Sequence, residues 1–396
     1  MQQKLIDNFR TVALVIFLVF IGLSFTSAFY PSHHPEGGTF DTGNIAFMLS
    51  ASGLVLLMTP GLSFFYGGMV NAKSIISTML QSFVALGLVT LLWYVVGFSL
   101  AFGDDIGGII GNPTTFLFFD HVGLAAHERM GSALPFVLFA AFQLKFAIIT
   151  PALITGSFAE RVRFWGYVIF VCLFSLLIYC PLAHMTWHPD GLFFKMGVLD
   201  FAGGTVVHIN SGIAGLVAAY LIGRRMGWGR EPMAPHNLTL TLVGAGMLWV
   251  GWFGFNAGSW LGADGRAAMA MLVTQVAAAA GALGWLAVER ISRGRASLLG
   301  GASGAIAGLV VITPAAGMVT AGSAVLMGLI GGAFCFWGTT GLKRLLKADD
   351  SLDAFGLHGV GGIVGALLTG VFNTQDLGGP GLVTDWVTAT VGSNGI

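Results

Sequence analysis

The chain has 396 residues, of which 55% are hydrophobic and 9% are charged, and its formal net charge at pH 7 is zero. Soluble domains carry roughly 25% charged residues, so this composition excludes an ordinary soluble fold and predicts a surface that faces lipid. The absence of a basic run gives no support for nucleic acid binding. Three cysteines lie in apolar segments without ligand spacing, so we predict no disulfide, metal site or cofactor.

The amino terminus has the three parts of a secretory signal. Basic residues precede an apolar stretch over residues 11–25, and the small residues 26–28 follow it. This order predicts a signal peptide over residues 1–28, with an uncleaved signal anchor as the alternative. Both interpretations leave His33 on the outer side of the membrane.

Ten further segments approach the length of about 20 apolar residues that a bilayer core requires. They predict an all-α polytopic membrane protein. The predicted spans are 44–70, 76–102, 132–157, 164–184, 203–223, 238–258, 267–289, 298–316, 320–342 and 356–374.

Lysine and arginine residues are divided unequally between the two sets of connecting loops. Only Arg129, Lys195 and Arg266 follow even-numbered spans. Because cytoplasmic loops carry the excess of basic residues, we predict a mature amino terminus outside a cell (inner) membrane. The lysine and arginine residues in the loops that follow odd-numbered spans are Lys73, Arg161, Arg163, Arg224, Arg225, Arg230, Arg290, Arg293, Arg295, Lys343, Arg344 and Lys347.

Two short motifs recur five spans apart. The sequence Ile-Thr-Pro-Ala occupies 149–152 and 312–315, and Gly-Ile-Ala/Val-Gly follows both His208 and His358 at the same offset. Since five is odd, the two copies cross the membrane in opposite senses. This pattern is typical of an inverted repeat, which places a site near the midplane between the halves.

His208 and His358 lie inside the fifth and tenth spans. Ionisable groups within a membrane are costly and mark functional sites. Two imidazoles can hydrogen-bond to each other while their outer nitrogens face a pore, and the pKa of histidine suits proton exchange. The alternatives are a purely structural tie between helices and a haem or metal site, for which we find no further ligands.

Other polar and aromatic residues admit both structural and functional interpretations. Asp200 precedes the fifth span, where it would cap the helix or bias a pore entrance toward cations. Lys145 lies in the middle of the third span, where its ammonium group would either extend to the membrane surface or face a polar interior or a subunit interface. Aromatic rings can hold a small cation, although packing or a position at the membrane interface is the better explanation for any single ring. The polar and aromatic candidates are Phe142, Phe146, Trp187, Phe255, Asn256 and Ser259.

Longer motifs resemble the ammonium transporter family, the Amt/Mep/Rh proteins, over about 44–381. The most specific is Asp-Phe-Ala-Gly-Gly-Thr-Val-Val-His over residues 200–208. The others lie at residues 60–68, 158–161, 251–259 and 355–359. We therefore expect residues 44–375 to form an ammonium transporter transmembrane domain.

The resemblance implies a homotrimer with one pore per subunit and eleven helices in a five-plus-five arrangement. Its implied outer recruitment site for ammonium consists of Trp187, Phe146 and Ser259. Phe146 and Phe255 would form a gate below that site. His208 and His358 would be the hydrogen-bonded pair in the apolar pore, with Asp200 in structural and electrostatic support of the entrance.

Three features depart from the family pattern, namely the end of the chain, Lys145 beside the expected gate residue Phe146, and the long outer loop 103–131. Residues 376–396 are expected to be an outer loop leading to an eleventh helix that is absent, and with it the usual basis for regulation by a PII-type protein in a full-length form. His121 and His127 in the 103–131 loop have no predicted role.

The leading function is transport of ammonium or ammonia, and an ammonium sensor with a signalling domain is the alternative. An intramembrane serine protease is a remote third.

Overall fold

The computed structural model describes residues 2–27, 29–30, 32–35, 37–381, 383–385 and 390–391. Helices dominate these residues, which confirms the prediction of an all-α polytopic membrane protein. The helices are α1 Gln2–Ser27, α2 Thr42–Met69, α3 Ile75–Phe102, α4 Phe136–Phe158, α5 (164–187), α6 Gly204–Ile222, α7 Leu238–Gly258, α8 Gly265–Arg293, α9 Leu298–Ile312, α10 Ala321–Leu345 and α11 Phe355–Phe372.

Each of the ten predicted spans corresponds to one helix from α2 to α11, with different ends at two prolines. In the described part of the chain, nine helices are long and apolar enough to cross a membrane, and α9 is a shorter apolar helix. The predicted span 298–316 is too long, because α9 ends at Ile312. Pro314 has no amide hydrogen to continue the helical hydrogen bonds, and the amides of Thr313 and Ala315 donate in tighter turns to the carbonyls of Val310 and Ile312. The predicted start at 132 is also wrong, because α4 begins after Pro135, which has extended backbone angles.

Short π-helical segments widen several of the spanning helices. One contains His208, at Gly204–Ile209, and another contains His358, at Phe355–Gly359. Such turns are rare and are frequent at functional sites. Both histidines therefore lie in the same kind of local structure, at matching places in helices five spans apart.

The remaining described elements lie outside the spanning helices. Helix α1 packs against α5, which fits either interpretation of the amino-terminal segment. Two antiparallel pairs of short strands occur: β1 Asp105–Ile106 with β2 Ile110–Gly111, and β3 Val383–Asp385 with β4 Thr390–Val391. Residue 28 of the predicted cleavage site, and part of the predicted loop 376–396, lie outside the described residues.

Candidate functional site

His208 and His358 are in direct contact in the interior. Their Nδ1 atoms lie 3.2 Å apart, and the rings are nearly parallel, with an interplanar angle of 17°. Both side chains are buried, and Nε2 of His208 has no hydrogen-bond partner among the described residues. The structure therefore brings the two predicted residues together, and their contact leaves Nε2 of His208 available to a small polar molecule.

Two aspartates start the histidine-bearing helices in the same way. The Asp200 carboxylate accepts hydrogen bonds from four backbone amides, those of residues 203–206, at 2.6–3.1 Å. Asp350 accepts from three, those of residues 354–356, at 2.9–3.3 Å. Because the first amides of a helix lack partners within it, each carboxylate anchors the turn that carries a histidine.

Glycines allow α6 and α11 to cross closely enough for the histidines to meet. A side chain at Gly212 would collide with the backbone of Gly359, and one at Gly362 would collide with Ile209 and the carbonyl of Gly204. Small residues permit this close approach of helices in membranes. Gly212 and Gly362 each follow a histidine by four residues, so the recurring motif has a packing explanation.

A narrow apolar cavity lies against the histidine pair. It leaves about 10 Å³ for the centre of a water-sized molecule, which is close to the minimum for one such molecule. Besides the two histidines, its walls are hydrophobic. The other lining residues are Met58, Leu62, Phe65, Ile149, Leu153, Leu248, Trp252, Phe255 and Ile306.

Phe146 and Phe255 separate this narrow cavity from a wider one, which we call the vestibule. Their ring centroids are 4.3 Å apart. Phe255 lines the narrow cavity, whereas Phe146 lines the vestibule, whose volume is about 220 Å³. The two buried rings therefore stand as a partition between the two spaces.

Trp187 and Ser259 line the vestibule together with Phe146. The Trp187 ring meets Phe146 edge to face at 5.8 Å between centroids, and its indole N–H donates to the Asp200 carbonyl at 3.0 Å. The Ser259 hydroxyl donates to the Phe255 carbonyl at 2.8 Å. A hydroxyl that donates once keeps its oxygen as an acceptor, so this end offers aromatic faces and an oxygen to a cation.

The remaining predicted residues lie around the two cavities rather than in them. Phe142 packs edge to face on Phe146 at 5.0 Å. Lys145 is half-buried and is absent from the described linings of both cavities. Adjacent residues of a helix do not share a face. Lys145 therefore lies outside the vestibule although it directly precedes Phe146 in the chain.

Asp200 acts as a cap in this geometry. Burial raises the pKa of its carboxyl group, against the opposing effect of the hydrogen bonds from the amides of residues 203–206. Of the two interpretations of Asp200, helix capping is therefore the one that its contacts support directly. Asp350 was missed, although the eight-residue spacing from Asp350 to His358 equals that from Asp200 to His208.

A charged network holds the end of the molecule opposite the vestibule. Asp349 accepts from the Arg225 guanidinium at 2.8 Å, and Arg161 lies 3.6 Å from it. Burial alone would raise the pKa of Asp349, but the hydrogen bonds and charge of Arg225 outweigh burial and hold that pKa below its ordinary value. The network ties the loop before α11 to the ends of α4 and α6.

The arrangement suits a small neutral molecule better than an ion. An ion stripped of water in an apolar cavity is costly unless it is paired, and no charged side chain lines the narrow cavity among the described residues. The vestibule offers aromatic side chains and a hydroxyl oxygen, and its lining also includes Arg129, whose charge is paired with Asp190 at 2.7 Å. The histidine pair offers only proton donors and acceptors.

The chain is similar to several known proteins. Residues 46–395 match the model of the Ammonium Transporter Family. The ammonium transporter of Aquifex aeolicus is 47% identical over 368 residues, which cover 92% of this chain and 85% of that protein. The crystal structure of Saccharomyces cerevisiae Mep2 has a TM-score of 0.79 at 38% identity, covering 85% of this chain and 75% of that one. A structure described as Sensor Amt Protein has a TM-score of 0.79 at 31% identity, covering 85% and 84%.

Proposed function

The chain belongs to the ammonium transporter family, and from that premise we propose that ammonium reaches the narrow cavity through the vestibule and passes the membrane there as ammonia. Membership of the family makes it a membrane protein for ammonium transport rather than an enzyme. The observation that carries the finer proposal is the 3.2 Å contact between His208 and His358 beside an apolar cavity.

Recruitment is the first step of the proposal. Trp187 and Phe146 present aromatic faces to the vestibule, and Ser259 presents an oxygen. Aromatic faces attract a small cation by roughly 0.5–2 kcal/mol, and the hydroxyl oxygen accepts one N–H of ammonium. This set concentrates ammonium next to the partition formed by Phe146 and Phe255.

Deprotonation is the second step. Beyond the partition the cavity is apolar. Entry of neutral ammonia, after ammonium has lost a proton, therefore costs less free energy than entry of the intact cation. Ammonia then occupies the narrow cavity and hydrogen-bonds to an imidazole nitrogen, while the histidine pair conveys the proton. Potassium has no proton to give up, which provides a basis for selectivity.

The orientation and assembly complete the proposal. We place the vestibule outside, because the basic residues concentrate in the loops at the other end. The resemblance to the family supports a homotrimer with one pore in each subunit. Chemical cross-linking in native membranes tests the trimer, and a protease-accessibility assay on sealed cells tests the orientation.

The sensor alternative is not favoured. The relatives from Aquifex aeolicus and Bacillus subtilis, at 47% and 46% identity, are both named ammonium transporters, whereas the sensor structure is 31% identical. Reconstituted vesicles exposed to ammonium, methylammonium and potassium at several pH values test the proposed function. We expect flux of ammonium and no flux of potassium. Equal flux of both ions contradicts the proposal.

A further inference from the structure

Three metal-ligating side chains from two distant segments meet at the vestibule end of the molecule. His33 belongs to the segment between α1 and α2, and Asp120 and His121 belong to the loop between α3 and α4. One ligand atom from each residue lies within 4.8 Å of the other two. We propose that these three side chains bind a late first-row divalent cation, with Zn²⁺ as the best fit, and thereby fasten residues 32–35 to the loop.

The distances agree with a tetrahedral ion. Zinc–nitrogen and zinc–oxygen bonds of about 2.0–2.2 Å place two tetrahedral ligands roughly 3.3–3.6 Å apart. His33 Nδ1 lies 3.3 Å from Asp120 Oδ1, and His121 Nε2 lies 3.7 Å from Asp120 Oδ2. The two imidazole rings are parallel within 9°, with centroids 5.3 Å apart. These distances run to different Asp120 oxygens, and the imidazole ligand atoms lie within 4.8 Å of each other, so the two exposed rings must rotate for all three side chains to bind one ion.

The donor set selects the class of ion. Two imidazoles and one carboxylate suit zinc, copper and nickel, whereas calcium and magnesium prefer oxygen ligands throughout. Three protein ligands leave a coordination position for water. The side chains of His33 and His121 are 72% and 56% exposed, so an ion from solution can reach them without opening the fold.

Backbone contacts hold both segments in place around the three side chains. The His33 amide donates to Asp120 Oδ1 at 2.6 Å, and the His121 amide donates to the His33 carbonyl at 2.7 Å. The Ala125 amide donates to the Pro35 carbonyl at 2.9 Å. The Asp120 carboxylate is therefore oriented by a hydrogen bond of the kind that fixes metal ligands. The ion would add a further link between two segments that backbone hydrogen bonds already join.

The function proposed for the histidine pair is not needed for this inference, since none of the three residues lines the vestibule or the narrow cavity. The competing explanation is a surface ion pair, in which the two imidazoles only balance the Asp120 charge. An ion pair predicts no uptake of zinc, which separates the two.

Equilibrium dialysis of the full chain in detergent, after removal of metals with a chelator, tests the proposal with Zn²⁺ alone. About one tightly held Zn²⁺ per chain is expected, with binding weakened about 10-fold or more in His33→Ala and His121→Ala. His34→Ala is the matched control, because His34 lies next to His33 but bonds instead to the Val122 carbonyl. Equal loss in His34→Ala and His33→Ala, or no loss in the double variant His33→Ala/His121→Ala, overturns the proposal.

A second measurement needs no variant. Diethylpyrocarbonate modifies free imidazoles, and mass spectrometry reads the extent at each histidine. Zn²⁺ is expected to protect His33 and His121 from modification while His34 still reacts. Equal modification of His33 and His121 with and without Zn²⁺ contradicts the site.

Discussion

Nδ1 of His208 lies 3.2 Å from Nδ1 of His358, and this contact makes the two rings inequivalent. A hydrogen bond needs one donor and one acceptor, so only one of the facing nitrogens carries a proton when both rings are neutral. The ring that donates has a bare Nε2, and its partner has an Nε2–H. The pair therefore combines a proton acceptor and a proton donor, and transfer of protons along it exchanges the two roles.

The carboxylates that start the histidine-bearing helices are expected to be essential for stability. In Asp200→Asn, one oxygen of a four-bond acceptor becomes an amide donor that faces backbone amides. Each buried donor left without a partner costs about 1–3 kcal/mol, so we expect a clear drop in the thermal unfolding midpoint in detergent. Asp350→Asn is expected to behave alike, because it accepts the amides of residues 354–356.

Asp264→Asn is the matched control for these variants. Asp264 caps α8 by accepting the amides of Arg266 and Ala267, and asparagine is about as good an N-cap as aspartate. A midpoint for Asp200→Asn equal to that for Asp264→Asn would show that the four-amide contact is unimportant.

Removal of the Asp349 carboxylate is expected to lower the free energy of unfolding more than the substitutions of the helix caps do. In Asp349→Ala the Arg225 and Arg161 charges lose their buried partner, and such a loss destabilises by about 3–5 kcal/mol. Chemical unfolding in detergent measures the change in the free energy of unfolding. The exposed pair of Lys195 with Asp190 is the control, since Lys195→Ala should cost about 0–1 kcal/mol.

The low pKa of Asp349 also sets the direction of the pH dependence. Because its pKa is below the unfolded value of about 3.9, its contribution to stability is present above that value. It is lost as the pH falls through the lower, folded pKa. Wild type and Asp349→Ala should therefore differ equally at pH 7 and pH 5 and converge only in strong acid. Convergence near pH 6 would contradict this assignment.

The partition between the cavities can be opened by one substitution. Phe255→Ala removes a ring that separates the vestibule from the narrow cavity, so water is expected to pass more readily. Stopped-flow light scattering of reconstituted vesicles measures this permeability. Phe142→Ala also deletes a buried ring in contact with Phe146, but lies in neither cavity. An equal increase in both variants would argue against a partition at Phe255.

The aromatic face of Trp187 is expected to set the apparent affinity for ammonium. A cation–π contribution of about 0.5–2 kcal/mol corresponds to a roughly 2- to 30-fold higher half-saturating concentration in Trp187→Leu. Trp187→Phe should retain most of the affinity. Trp260→Leu is the control, because that ring instead faces the Arg266 guanidinium at 4.5 Å. Unchanged half-saturation in Trp187→Leu would remove Trp187 from the recruitment site.

The sequence was sufficient for features that depend on chain periodicity. Apolar length predicted α2 to α11, and the recurring glycines four residues after His208 and His358 predicted a matched pair. It failed where local backbone chemistry competes with apolar length, as at Pro135 and Pro314. Pro135 disfavours helical geometry at the residue before it, so α4 starts there, whereas α9 ends at Ile312 in tighter turns around Pro314.

Other features require tertiary contacts that no spacing in the sequence reveals. His33 and Asp120 are 87 residues apart and meet only after the loop between α3 and α4 folds back. Asp350 was different, because its offset from His358 repeats that of Asp200 from His208. The matching offset on the amino-terminal side of the two histidines is therefore the sequence signal for this cap.

The most direct test of the account is the flux of ammonium and potassium through vesicles that contain His208→Ala. A positioned proton acceptor typically speeds transfer by about 10²–10⁴-fold, so we predict that ammonium flux falls at least about 10-fold or that potassium gains entry. His236→Ala, whose ring bonds to the Val70 carbonyl away from the cavity, should match wild type. If His208→Ala keeps both the ammonium flux and the exclusion of potassium, the histidine pair does not convey the proton.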